Sequence, residues 1–272
     1  MSSPQAFSGR DYLAALCVVL IWGTNFVAMK LGLRELSPFQ LGAGRYLFAV
    51  LPLIAFVRPP RLPAKWVVLY GLFQGIGQFG LLFLSLRVGM SAALASVILQ
   101  TQVFFTAFFG VAVLGEHIHR PLQIGLSLAA LGLASFGLGI VGPGGSASGT
   151  NLAGFALCLG GAAMWAASNI VVRRAQHSTP DFQVVPFMVW SSLVPIVPFV
   201  LLSLAFDPPM ASLYLHWPTL ASTAYLGWFA TIGGYALWTG LLKRHPVNRV
   251  APFSLGVPVV GIGAGMLLLG DV

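Results

Sequence analysis

Long apolar runs alternate with short polar breaks along the chain, and this alternation sets the reading. The runs fall at roughly 11–32, 38–57, 64–86, 91–115, 121–141, 151–173, 181–205, 217–242 and 246–270. A helix rises ~1.5 Å per residue, so ~20 apolar residues cross the ~30 Å hydrocarbon core of a bilayer. Each run reaches that length, and each is far too long for a strand of a transmembrane barrel. The pattern predicts nine membrane-spanning helices. Pro38, Pro121 and Pro246 stand at predicted helix starts, where a missing N–H costs little. Pro186, Pro195, Pro252 and Pro258 stand inside runs and are expected to bend or break them.

The pattern also repeats. Ser91 to Glu116 reads SAALASVILQTQVFFTAFFGVAVLGE, and Pro246 to Asp271 reads PVNRVAPFSLGVPVVGIGAGMLLLGD. Tyr70 precedes Glu116 by the same interval as Tyr225 precedes Asp271, so the two blocks align without a gap and both end in Leu-Gly-acid. The loop after the second run holds Arg58, Arg61 and Lys65, while its counterpart after the seventh holds only Asp207. The loop after the third run holds Arg87, while its counterpart after the eighth holds Lys243 and Arg244. Matching loops have exchanged charge, so matching helices are expected to point opposite ways. An odd number of helices per copy produces that inversion, a mark of secondary transporters with a midplane site between the halves. The expected fold is an all-α polytopic membrane protein of two inverted five-helix repeats. Residues 1–141 form the first repeat, 142–150 a Gly- and Ser-rich linker, and 151–272 the second, with four of its helices present. The tenth helix is expected to be missing at the C-terminus, in a chain shorter than its parent.

Composition agrees with this picture. Of 272 residues, 57% are hydrophobic and 7% charged, against about 25% charged in soluble domains. The net charge of +8 sits in short loops rather than along a groove, which argues for membrane orientation and against nucleic acid. With a cytoplasmic N-terminus, the inside set is Arg10, Arg58, Arg61, Lys65, Arg120, Arg173, Arg174, Lys243, Arg244 and Arg249; the outside set is Lys30, Arg34 and Arg87. That bias predicts the N-terminus inside. Cys17 and Cys158 both fall inside runs and are not expected to pair. The first run is too long for a cleaved signal peptide.

Ile21-Trp22-Gly23-Thr24-Asn25-Phe26-Val27-Ala28, then Pro38-Phe39 and Arg45-Tyr46, resemble the first two helices of the EamA family in the drug/metabolite transporter superfamily. Leu114-Gly115-Glu116 and Leu269-Gly270-Asp271 resemble that family's Leu-Gly-Glu, with Asp271 a departure, and Met164-Trp165-Ala166 resembles the opening of its second repeat. Tyr70-Gly71-Leu72-Phe73-Gln74 and Arg249-Val250-Ala251-Pro252-Phe253-Ser254-Leu255 are similar to bacterial amino-acid exporters of the cysteine/O-acetylserine or aromatic amino-acid type. The resemblance covers nearly the whole chain. It implies a ten-helix basket with a central cavity that exports small metabolites, in a bacterial inner membrane.

Candidate binding residues are polar or aromatic groups at mid-depth. Trp228, Thr231, Tyr235 and Trp238 have spacings that place them on one face of the eighth helix, as a cavity wall for apolar or aromatic side chains or as ordinary packing. Gln74 and Gln78 on the third helix, and Ser96 and Gln100 on the fourth, repeat a four-residue spacing; buried amides either bond each other or line water. Asn25 pairs with Trp22 on the first helix as Asn169 does with Trp165 on the sixth, a repeat-related motif open to a structural or a binding role. Arg45 is the one basic residue well inside a run, with no Asp or Glu at mid-depth to match it. Its guanidinium fork suits a carboxylate such as an amino-acid head group; outward snorkelling or capping of a broken helix is the alternative. Glu116 and Asp271, at helix ends on opposite membrane sides, are expected to be solvated termini or to bond a neighbouring helix start. Glu116-His117-Ile118-His119 lacks metal-site spacing.

These features point to a secondary exporter of amino acids and related small metabolites, embedded in the bilayer and working by alternating access. No catalytic constellation, metal site or cofactor is expected, and no Gly-rich phosphate loop points to ATP. A multidrug or organic-cation exporter of the same superfamily is the alternative, disfavoured by the lack of a mid-membrane carboxylate. Oligomeric state is open, a monomer included.

Overall fold

The computed structural model describes residues 6–90, 92–118, 120–141, 152–207 and 216–269. The expected linker at 142–150 and Asp271 lie outside them. Nine helical stretches follow one another among the described residues: α1 (Gly9–Gly32), α2 (Pro38–Ala55), α3 (Ala64–Arg87), α4 (Leu94–Leu114), α5 (Arg120–Val141), α6 (Leu152–Ser178), α7 (Val184–Phe206), α8 (217–244) and α9 (Val247–Leu268). Seven are long and apolar enough to cross a membrane; α5 and α8 fall outside that set. Thr, Trp, Tyr and Gly residues lower the hydropathy of α8.

The bundle is apolar outside and buries polar side chains within an apolar core. Leu13, Leu16 and Leu20 on α1, Ile124, Leu128 and Leu131 on α5, and Val197, Leu201 and Leu204 on α7 are exposed. Their spacing by three or four draws one apolar stripe along each helix, the face a lipid tail would cover. Arg45, Gln74, Gln78, Gln100, Gln102, Thr106, Ser168 and Asn169 are all buried. This distribution fits a protein whose solvent is lipid.

The helices carry breaks, and the breaks recur. In the register that lays Tyr70 on Tyr225, the π-helical stretch Gly71–Gly80 of α3 falls on the π-helical stretch Leu226–Gly234 of α8. The 3₁₀ turn Leu99–Thr101 of α4 falls within the counterpart Ala251–Gly256 of α9, and Gln102–Leu114 falls on Val257–Leu269. Two stretches of different sequence thus break in the same places. The prolines act by position. Pro195 closes a turn at 192–195 that interrupts α7, and Pro252 lies in the 3₁₀ turn of α9. Pro186 and Pro258 instead lie in the first turns of Val184–Ser191 and Val257–Leu269, where they replace N–H groups that need no partner.

Close approach depends on glycine. A Cβ on Gly234 would stand 2.5 Å from Trp22 Nε1, and one on Gly75 would stand 2.6 Å from Pro195 Cγ. Small residues let these helices meet backbone to side chain.

Each end of the bundle is tied by polar contacts. At one end Arg87 Nη1 donates to Asp207 Oδ1 at 2.7 Å, Ser37 Oγ bonds the same carboxylate, and Glu35 meets His216 Nδ1 at 2.9 Å. At the other, Asp11 meets Arg244 Nη2 at 2.9 Å and His245 Nε2 at 3.1 Å. There Glu116 accepts from the N–H groups of Val247 and Asn248 at 3.1 and 3.2 Å, capping the start of α9, with Arg173 Nε 3.8 Å away.

Candidate substrate-binding site

Among the described residues, two of the small cavities in the bundle lie on either side of a polar partition. The larger leaves about 40 Å³ open to the centres of water molecules, room for a few waters. Trp22, Asn25, Arg45, Gln78, Gln100, Trp165 and Tyr235 line it, with Phe26, Met29, Phe79, Leu82, Leu99 and Val257 as its apolar wall. The smaller leaves about 10 Å³ and is lined by Tyr46, Tyr70, Gln74, Ser191, Thr231 and Tyr235 among others. Where the resemblance implies a central cavity, the described residues leave these small spaces. Side chains from both copies line them, and both ends are tied.

The partition is a hydrogen-bonded cluster. Gln74 Nε2 donates to Gln78 Oε1 and, at 2.7 Å, to the Tyr235 hydroxyl. Ser168 Oγ donates to Gln74 Oε1 at 2.6 Å. Arg45 is 1% exposed; its Nε donates to Thr231 Oγ1 at 2.6 Å and its guanidinium lies over the Phe79 ring, 4.0 Å from the centroid. Thr231 Oγ1 in turn donates to the carbonyl of Leu226, five residues back, at 2.8 Å. Arg45 is paired with no carboxylate among the described residues, so hydrogen bonding and the ring face hold the charge.

Several buried polar atoms have no hydrogen-bond partner, and their distribution is informative. Asn25 Oδ1, Arg45 Nη1, Gln100 Oε1 and Trp165 Nε1 all belong to residues lining the larger cavity. The Tyr46 hydroxyl and Ser191 Oγ belong to residues lining the smaller. The rest lie toward helix ends, on Trp66, Gln176 and Asn248 and on Arg173 and His245, whose nitrogens face the Glu116 and Asp11 carboxylates as ion pairs without an aligned hydrogen bond. An unpartnered buried polar atom costs about 1–3 kcal/mol. At mid-depth that cost is concentrated on the cavities.

Of the residues singled out from sequence, Asn25, Arg45, Gln78, Gln100 and Tyr235 surround the larger cavity, and Gln74 and Thr231 join Tyr235 at the smaller. Trp228 is a correction. It is 41% exposed, its Nε1 donates to the Leu51 carbonyl at 2.8 Å, and it meets Phe48 edge to face. The π-helical stretch explains this: an α-helical spacing no longer predicts a shared face across it, and Trp228 turns outward. Trp238 stays inside but serves a different cluster, donating to Asn169 Oδ1 at 2.9 Å. Ser96 is buried and its carbonyl accepts from Gln100 Nε2 at 3.4 Å; it lines neither cavity. Sequence reasoning missed Tyr46, Phe79 and Ser191. Tyr46 and Phe79 adjoin Arg45 and Gln78, which is the only signal they carry; Ser191 lies just ahead of the Pro195 break.

Comparison with known proteins completes the description. The family model for EamA-like transporters matches residues 10–138 and again residues 152–272. A Salmonella typhimurium protein named "Probable amino-acid metabolite efflux pump" is 39% identical over 97% of this chain and 88% of its own length. An Escherichia coli protein of the same name is 38% identical over the same shares. A solved crystal structure superimposes with a TM-score of 0.74 over 98% of this chain and 90% of that one; at 18% identity the likeness bears on fold alone.

Proposed function

The chain belongs to the EamA-like transporter family, and from that premise we propose that it exports amino acids and related small metabolites by alternating access between two inverted halves. It is a multi-pass membrane protein and a transporter rather than an enzyme. The two family matches divide the chain into two copies, and the relatives, matched over 88% of their length, are named for efflux of amino-acid metabolites.

One observation carries the proposal: the larger cavity takes side chains from both copies. Trp22, Asn25, Arg45, Gln78 and Gln100 come from the first, and Trp165, Tyr235 and Val257 from the second. A site between halves is accessible to either side in turn when the halves rock against each other. The end contacts support inversion. The end of α3 meets Asp207 through Arg87, while the matching end of α8 meets Asp11 through Arg244. Asp11 starts α1, and the contact of Ser37 with Asp207 falls just past the end of α1. In this reading the two matched helices finish at opposite ends. The Arg87–Asp207 and Asp11–Arg244 contacts are then the two gates, both shut, and the state is occluded. The bacterial inner membrane, with the N-terminus in the cytoplasm, is the setting the loop charges favour.

An organic-cation exporter would need an anion where this site holds Arg45. Counterflow of radiolabelled L-amino acids into proteoliposomes tests the proposal. Exchange of at least one amino acid is expected, with the Arg45→Ala protein inactive but correctly folded. Exchange of organic cations without amino acids would overturn it.

A further inference from the structure

Resting on that reading, we infer that the larger cavity recognises the zwitterionic head of a free α-amino acid, with Arg45 and Trp165 taking the carboxylate and Asn25 and Gln100 the ammonium. The inference comes from the kinds of atom left without partners. Arg45 Nη1 and Trp165 Nε1 are donors only; Asn25 Oδ1 and Gln100 Oε1 are acceptors only. The amide orientation follows from their neighbours: Gln100 Nε2 is spent on the Ser96 carbonyl at 3.4 Å, and Asn25 Nδ2 on Met29 Sδ at 3.5 Å. In each, the oxygen is the end left over.

A carboxylate only accepts and an ammonium only donates. One guest carrying both satisfies all four atoms. A plain carboxylic acid leaves Asn25 Oδ1 and Gln100 Oε1 unpaired, and an amine leaves the buried guanidinium of Arg45 without a counter-charge. Sites that hydrogen-bond a group strongly reject analogues that lack it, because their own polar atoms are then stranded. The ring of Phe79 under Arg45, with its centroid 4.0 Å from Cζ, and the bond from Arg45 Nε to Thr231 fix the guanidinium plane and leave Nη1 as the free edge. The remaining wall, Phe26, Met29, Leu82, Leu99 and Val257, is apolar and suits an aliphatic or aromatic side chain. The cavity must widen to admit a whole amino acid, so the head group is read as the halves open.

The experiment uses the full-length protein in proteoliposomes. L-phenylalanine is the first probe of a labelled L-amino-acid panel, and the best substrate is then challenged with its methyl ester, its N-acetyl derivative and its 2-hydroxy acid as competitors. Each competitor is expected to be at least about tenfold weaker than the parent. In Arg45→Gln the advantage of the acid over its ester is expected to vanish; in Asn25→Ala and Gln100→Ala the advantage of the amine over the 2-hydroxy acid is expected to shrink, with size-exclusion profiles unchanged. Arg45→Lys, which keeps the charge, provides a second variant if Arg45→Gln does not fold. Transport of the amino acid with the ester or N-acetyl form competing equally would overturn this inference and leave the export reading standing. Transport of no amino acid would overturn both.

Discussion

Trp22–Asn25 and Trp165–Asn169 are the same residue pair at related places in the two copies, and the molecule uses opposite halves of each. Trp22 Nε1 donates to the Ala230 carbonyl at 3.1 Å while Asn25 Oδ1 has no partner. Trp165 Nε1 has no partner while Asn169 is bonded at both ends, accepting from Trp238 Nε1 at 2.9 Å and donating to Thr106 Oγ1 at 3.4 Å. The bonded half continues into a chain: Thr106 donates to Gln102 Oε1 at 3.0 Å, and Gln102 Nε2 donates to Ser254 Oγ at 2.7 Å. That chain joins α4, α6, α8 and α9. The unbonded halves meet at one cavity, with the two Trp rings edge to face at 5.4 Å. In the proposed reading, the pair that recurs in the two copies holds helices together with one member and leaves atoms for a guest on the other. By the same reading, the satisfied buried polar groups hold the structure and the unsatisfied ones at mid-depth belong to the site.

The comparison makes graded predictions. The largest concerns Arg45→Ala, which removes the only buried cation of the site. Transport is expected to fall roughly 100-fold or more, from the loss of about 3–5 kcal/mol typical of a broken buried charge pair; initial efflux rates from proteoliposomes measure it. Next come the two asparagines. Asn169→Ala strands Trp238 Nε1, while Thr106 keeps its bond to Gln102, so detergent unfolding is expected to show a loss of about 1–3 kcal/mol with KM little changed. Asn25→Ala is expected to do the reverse, leaving the melting temperature intact while KM rises about tenfold. Trp228→Leu, at the lipid-facing surface, is expected to leave transport within about twofold, as surface changes away from special features do. Full loss of activity in that variant would return Trp228 to the site.

The smallest effect lies at the loop between α1 and α2. The Glu35 carboxyl is held below the usual glutamate range, chiefly because the His216 N–H donates to it at 3.1 Å. A depressed folded-state pKa contributes stability above the unfolded value and loses it as pH falls through the folded value. At neutral pH Glu35 stays ionised. Unfolding of Glu35→Gln followed from about pH 6 down to pH 3 is expected to lack a small acid-side slope that the parent protein shows.

Much of this was legible in the sequence, for physical reasons. Lipid demands long apolar helices, so the runs could be read from hydropathy, and the gapless match of Tyr70–Glu116 to Tyr225–Asp271 exposed the duplication before any coordinates. Arg45, Asn25, Gln78 and Gln100 stood out because a polar group at mid-depth is costly and needs a reason. The π-helical stretches were not legible: one extra residue per turn has no compositional signature, yet it turned Trp228 outward while Thr231 and Tyr235 stayed at the cavities. Trp165 could be noticed but not assigned, since only the geometry distinguishes a bonded indole from a free one.

Equilibrium binding of a labelled amino acid to the purified protein in detergent tests the central claim most directly, with Asn25→Ala and Asn169→Ala measured side by side. The division of the two motifs predicts that Asn25→Ala binds about tenfold more weakly at an unchanged melting temperature, while Asn169→Ala melts lower and binds normally. Equal affinities for the two variants, or weaker binding only in Asn169→Ala, would contradict it.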